Sequence, residues 1–108
     1  MEKYEKDGKI AVLVSPGFGA GWSSWNGSHA KQLAMDKRIV KYVLNDEKGN
    51  EEKAKKFLQS IGLEGVYCGG YGDIEIHWIE KGIHFQINEY DGSESLQTFE
   101  DMSDYLRA

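Results

Sequence analysis

The chain has one proline, one cysteine and no long apolar run, and its acidic residues outnumber its basic ones by 18 to 13. The lone Cys68 cannot close an internal disulfide and fits a reducing compartment. No stretch approaches the ~18–20 consecutive apolar residues of a bilayer-spanning helix, so no membrane partner is expected. A net charge of −5 argues against a sequence-independent grip on nucleic acid, which rests on clustered Lys and Arg. The lysines here are strewn along helical patterns as solvated residues. The charged opening, Met1 to Asp7, runs into a strand-like segment and does not read as a signal peptide, so the expected location is the cytoplasm. The 108 residues are 40% hydrophobic, enough for one domain over 1–108 with a core of its own.

Glycine and tryptophan are concentrated where proline is found. Ser15 to Ser28 reads S-P-G-F-G-A-G-W-S-S-W-N-G-S, with four glycines, the only proline and two tryptophans. Glycine loses more backbone freedom on folding than any other residue, so such a loop is costly to order. Two indoles in it imply that it is ordered nonetheless, its rings either plugged into the core or presented to a partner.

The rest of the chain reads as alternating elements. Lys9 to Val14, bounded by Gly8 and Pro16, suits a strand buried on both faces. Ser28 is placed to cap a first helix with Leu33 and Ala34 on its stripe, and Asp36 to cap a second through Ile39, Val40, Val43 and Leu44. Asn50 opens the clearest helix, with Ala54, Phe57, Leu58 and Ile61 at helical spacing and Gly62 as its stop. Val66 to Cys68 is a short strand candidate. Ile74, Ile76 and Trp78 alternate, as do Ile83, Phe85 and Ile87. A turn at Lys81-Gly82 would pair Trp78 with Phe85, and a turn at Asp91-Gly92 would set Leu96 opposite Ile87. Thr98 to Asp101 resembles a capping box opening a terminal helix through Phe99, Met102, Tyr105 and Leu106. The expected class is α+β: an antiparallel β-meander of about four to five strands covered by two to four helices.

No motif calls for a cofactor or a metal. Gly17-Phe-Gly-Ala-Gly21 falls short of the dinucleotide fingerprint because Trp22 stands where its last glycine belongs, and no P-loop lysine follows. Consecutive amides in the loop could still cradle an anion, although Ser15 to Ser28 contains no Lys or Arg. His77 and His84 lie on the outer face of the expected hairpin as exposed strand residues. Cys68 reads as buried and inert. The candidate site is the aromatic set Phe18, Trp22, Trp25 and Tyr71 of the two glycine loops, with Ser23, Ser24, Asn26 and Asp73 as hydrogen-bonding neighbours. Flat rings beside a few polar groups suit a partner side chain, a sugar or a nucleobase.

The segments 15–26, 36–40 (D-K-R-I-V), 73–79 (D-I-E-I-H-W-I) and 88–94 (N-E-Y-D-G-S-E) resemble a family of small proteins of tailed bacteriophages and prophages with no assigned activity. The resemblance covers nearly the whole chain. It implies a protein made in the cytoplasm of an infected bacterium, where small accessory proteins often bind or modulate a host factor, and it carries no functional residues with it. The expected function is therefore a non-catalytic binding protein engaging a host defence or regulatory protein through the Gly/Trp loop. The alternatives are a binder of a small nucleotide-like signal and a small hydrolase or metal enzyme using Asp73, Glu89, Asp91 or the histidines. A symmetric homodimer through a strand edge is compatible with all three.

Overall fold

The computed structural model describes residues 1–46 and 49–99 and the backbone of 106–107. Its strands are β1 (Glu5–Lys6), β2 (Lys9–Val14), β3 (Glu75–Glu80), β4 (His84–Tyr90), β5 (Ser93–Phe99) and β6 (Leu106–Arg107). Its helices are α1 (Ala30–Met35), α2 (Lys37–Asn45) and α3 (Glu51–Ser60), with 3-10 turns at Gly27–His29 and Tyr71–Asp73. All strand pairs are antiparallel, in two three-stranded sheets ordered β1-β2-β3 and β5-β4-β6. The class is α+β, as the residue pattern implies.

β2 organises the interior. Its apolar run has no polar face, and each face meets a separate core. Ala11 and Leu13 join Trp22, Leu33, Ile39, Val40, Leu58 and Tyr71 on the helical side. Ile10, Val12 and Val14 join Met35, Ile79 and Phe85 against the second sheet.

Two cores change the strand pairing. Ile74, Ile76 and Trp78 were expected to share a face with Ile83, Phe85 and Ile87 across a hairpin. Instead β3 pairs with β2, setting Leu13 opposite Ile76 and Ala11 opposite Trp78. Ile74 and Ile76 pack on the helical side, whereas Ile83, Phe85 and Ile87 pack in the other core. The turn at Lys81-Gly82 thus carries the chain from one sheet to the other, and the meander is not formed. The next turn is as expected: Asp91 and Gly92 both have positive φ (47° and 83°), and Ile87 faces Leu96. This is the φ > 0 pair that a two-residue hairpin connection requires.

Other expectations fare unevenly. Asn50 caps α3 by accepting from Lys53 N at 3.0 Å, and Gly62 (φ 90°) follows its end. Ser28 is not a cap; it lies in the 3-10 turn, and His29 precedes α1 without a side-chain cap bond. Val66 to Cys68 forms no strand. His84 is buried rather than exposed, because β4 is the central strand and both β5 and β6 flank it at that position. The expected terminal helix falls mostly outside the described residues. Thr98 and Phe99 belong to β5, and Leu106–Arg107 pairs with β4.

Asp36 both ends α1 and caps α2. Its carboxylate accepts from Arg38 N at 2.8 Å, from Arg38 Nη2 at 2.8 Å and from Gln32 Nε2 at 3.1 Å. Burial alone would raise its pKa, but the Arg38 and Gln32 hydrogen bonds and the Arg38 charge hold the carboxyl below its ordinary 3.8. The Arg38 side chain is more than half exposed, so the ion pair is screened and the cap is the larger contribution. Asp36→Ala is expected to lose about 1–2 kcal/mol at neutral pH. A depressed folded pKa stabilises above the unfolded value and not below both. The gap between wild type and variant in urea denaturation therefore closes as pH falls below 3.8.

Candidate functional site

The glycine-rich stretch is docked on the β4–β5 turn by backbone contacts. Gly19 N donates to Asp91 O at 2.6 Å, and Gly21 N donates to Gly92 O at 2.7 Å. The two backbones are so close that a Cβ on Gly92 would stand 2.8 Å from Gly19 N. Ser93 Oγ donates to Pro16 O at 2.6 Å.

Beneath the loop lies a carboxylate. Glu94 is 2% exposed. Its Oε1 accepts from Ser15 N at 3.0 Å and Ser15 Oγ at 3.1 Å. Its Oε2 accepts from Ser23 N at 3.0 Å, Ser24 N at 2.8 Å and Ser24 Oγ at 2.6 Å. Glu94 N in turn donates to Ser15 O at 2.9 Å, which stitches the end of β2 to the start of β5. The loop's amides do meet an anion, but it is this protein's own Glu94, and the donors are Ser15, Ser23 and Ser24, whereas the Gly19 and Gly21 amides go to the β4–β5 turn. The Ser23 and Ser24 hydroxyls turn inward onto that carboxylate.

The rings divide into two sets. Trp22 is fully buried, and Tyr71 is 5% exposed. They lie 5.9 Å apart in the helical-side core. Trp22 Nε1 donates to Leu33 O at 2.8 Å, and Tyr71 Oη donates to Asp46 at 2.6 Å. Burial, together with the Asp46 carboxylate, pushes the Tyr71 phenol far above its ordinary range. Of the two arrangements the loop allowed its indoles, Trp22 thus takes the one plugged into the core, and Tyr71 packs beside it. Phe18 and Trp25 point the other way, at 77% and 46% exposed. Each meets a tyrosine absent from the expected set: Phe18 lies edge-on to Tyr90 at 6.5 Å, and Trp25 lies 5.5 Å from Tyr67. Tyr90 and Tyr67 are 72% and 44% exposed.

The two pairs are held in one surface. Tyr67 Oη donates to Gly19 O at 2.6 Å, next to Phe18. Trp25 Nε1 donates to Glu89 Oε2 at 3.1 Å, next to Tyr90, and the same oxygen accepts from Gly92 N at 2.7 Å. Gly21 (φ 51°) lies under the Trp25 ring, where any Cβ would collide with the indole. Asn26 takes up both backbone polar groups of Tyr67, in the segment where a strand was expected and none forms. Its Oδ1 accepts from Tyr67 N at 2.8 Å, and its Nδ2 donates to Tyr67 O at 3.0 Å. A carboxamide thus holds the backbone of Tyr67 and positions its ring. Asp73 is exposed beside Gly17, whose Cβ would come within 2.6 Å of Asp73 Oδ2.

Cys68 is buried, and burial, reinforced by the Glu51 charge, pushes its thiol up. The pairing that would bring Asp73 toward Tyr90 across a β3–β4 hairpin is not formed. Among the described residues, no three His, Cys, Asp or Glu side chains are grouped to hold a metal ion. Nor is any described helix long and apolar enough to cross a membrane. No protein-family model matches the chain, and neither a curated protein nor a solved structure does.

Proposed function

We propose that this chain is a non-catalytic binding protein whose Phe18, Trp25, Tyr67 and Tyr90 surface engages a partner protein. The observation that carries this reading is four large exposed rings on one surface, Phe18 and Trp25 from the braced glycine-rich loop and Tyr67 and Tyr90 from the segments docked beside it. Aromatic area of that kind, kept rigid, is what interface anchors are made of, and contiguous exposed apolar surface marks interaction sites. The polar groups around the loop support binding over hydrolysis: Glu94, Ser15, Ser23 and Ser24 bond to one another, and Asn26 is committed to Tyr67. The same arrangement weakens the small-ligand reading, since Trp22, Ser23 and Tyr71, expected to line a pocket, face inward. The resemblance to tailed-phage proteins points to a host protein in the bacterial cytoplasm as the partner.

The test is capture from bacterial lysate by wild type and by the Phe18→Ser/Trp25→Ser/Tyr90→Ser variant. These three side chains are exposed, so the variant is expected to melt within a few °C of wild type and to lose the captured protein. Equal capture by both proteins overturns the proposal.

A further inference from the structure

The charge around the rings indicates what sits on them. The segments that build the surface, 15–28, 66–73 and 88–94, contain four acidic residues and no Lys or Arg. Glu94 is buried in its cradle, while Asp73, Glu89 and Asp91 are exposed. Glu89 stands between the two ring pairs. Both of its hydrogen bonds, from Trp25 Nε1 and Gly92 N, fall on Oε2, so Oε1 has no partner among the described residues. The faces of Trp, Tyr and Phe carry negative potential and attract cations within ~6 Å. Carboxylates beside such faces add to the same field.

Resting on the binding role above, we infer that this surface takes arginine side chains from a basic segment of its partner. Arginine fits better than lysine because a planar guanidinium can stack on an indole or phenol while its N–H fork meets a carboxylate such as Glu89. A protein segment fits better than a small cation because small ligands need concave sites. The rings here stand out from the surface, and two hollows of about 380 Å³ each lie elsewhere. One is lined by His77, Trp78, Ile83 and Leu96, the other by Glu2, Asp36 and Lys41.

The experiment is a titration of the whole protein with three peptides of equal length, in which Arg, Lys or Glu alternates with Gly and Ser. It is followed by the tryptophan indole N–H resonances. Trp22 serves as an internal control because its indole is buried on Leu33 O. The Arg peptide is expected to shift the Trp25 resonance and leave that of Trp22 in place. It should bind about tenfold or more tightly than the Lys peptide, and the Glu peptide should produce no shift. Added salt should weaken the Arg complex.

The variant Glu89→Gln/Asp91→Asn removes charge but keeps the architecture. Gln can still accept from Trp25 and Gly92, and Asn tolerates the positive φ of position 91. It is expected to lose at least about tenfold in affinity for the Arg peptide. Absence of a Trp25 shift with the Arg peptide, or equal binding of all three peptides, overturns the inference. A protein captured from lysate by wild type and equally by Glu89→Gln/Asp91→Asn, but lost by the triple ring variant, overturns the cationic partner and leaves the binding role standing.

Discussion

Glu94→Ala is expected to destabilise the protein by about 3–5 kcal/mol, since each buried donor left without an acceptor costs roughly 1–3 kcal/mol. Three backbone amides, those of Ser15, Ser23 and Ser24, converge on this carboxylate, and the side chain is 2% exposed. Against a typical total of ~5–15 kcal/mol this is a large fraction. No Lys or Arg lies in ion-pair contact with Glu94 among the described residues, so its charge is held by dipoles alone. Glu94→Gln should cost less, because its amide oxygen can still accept on one side, but its NH₂ must then face a donor. A small carboxylate offers a sharper check. Acetate added to Glu94→Ala should enter the vacated cradle and raise the melting temperature, by the logic of any ligand that binds only the folded state. Chloride at equal ionic strength should do so less, and wild type should not respond. A variant that unfolds within about 1 kcal/mol of wild type, without an acetate response, would show that the cradle does not hold the loop.

Glu94 was legible in principle. It lies two residues before Leu96, and alternation along a strand puts positions two apart on one face. Leu96 packs in the second core, so a carboxylate on that inward face needs donors, and only the serine-rich loop is well supplied with them. What the chain conceals is distance: the donors lie 70 or more residues away. The strand pairing failed for a related reason. Period-two alternation says which of Ile74, Ile76 and Trp78 share a face, but not which neighbour they share it with. A second core beyond β2 made the local hairpin the wrong partner. By contrast, features set by short-range chemistry were readable: the double burial of β2, the Asp36 and Asn50 caps and the Asp91-Gly92 turn. Half of the aromatic surface was readable as well. Phe18 and Trp25 stand out in the loop, whereas Tyr67 and Tyr90 join it only through the Asn26 bracket and the docking of the turn.

The two tryptophans of the loop are expected to separate stability from binding. Trp22→Ala should lose about 3–5 kcal/mol, the usual range for deleting a buried large aromatic. The loss is not only volume. The amide of Lys37, which would bond to Leu33 O in a continuous helix, donates instead to Glu2 O at 2.7 Å. The Leu33 carbonyl therefore depends on the Trp22 indole at 2.8 Å, and Trp22 closes the end of α1 as well as filling the core. Trp22 N also donates to Ser15 Oγ at 2.9 Å, and that hydroxyl in turn reaches Glu94, so the backbone on either side of the ring is tied to the cradle. Trp25→Ala should cost about 1 kcal/mol or less, because half of the ring is already in water and its one hydrogen bond is exposed. Urea denaturation of the two variants measures both effects, and the capture and peptide assays measure the other half of the contrast. Trp25→Ala is expected to stay folded and to lose both the captured protein and the Arg peptide. Trp22→Ala, wherever it remains folded, keeps its exposed rings and should bind in proportion to its folded fraction. If the order of the two stability losses were reversed, the inward ring would not be the structural one, and the case for an outward-facing surface built on it would fall with that result.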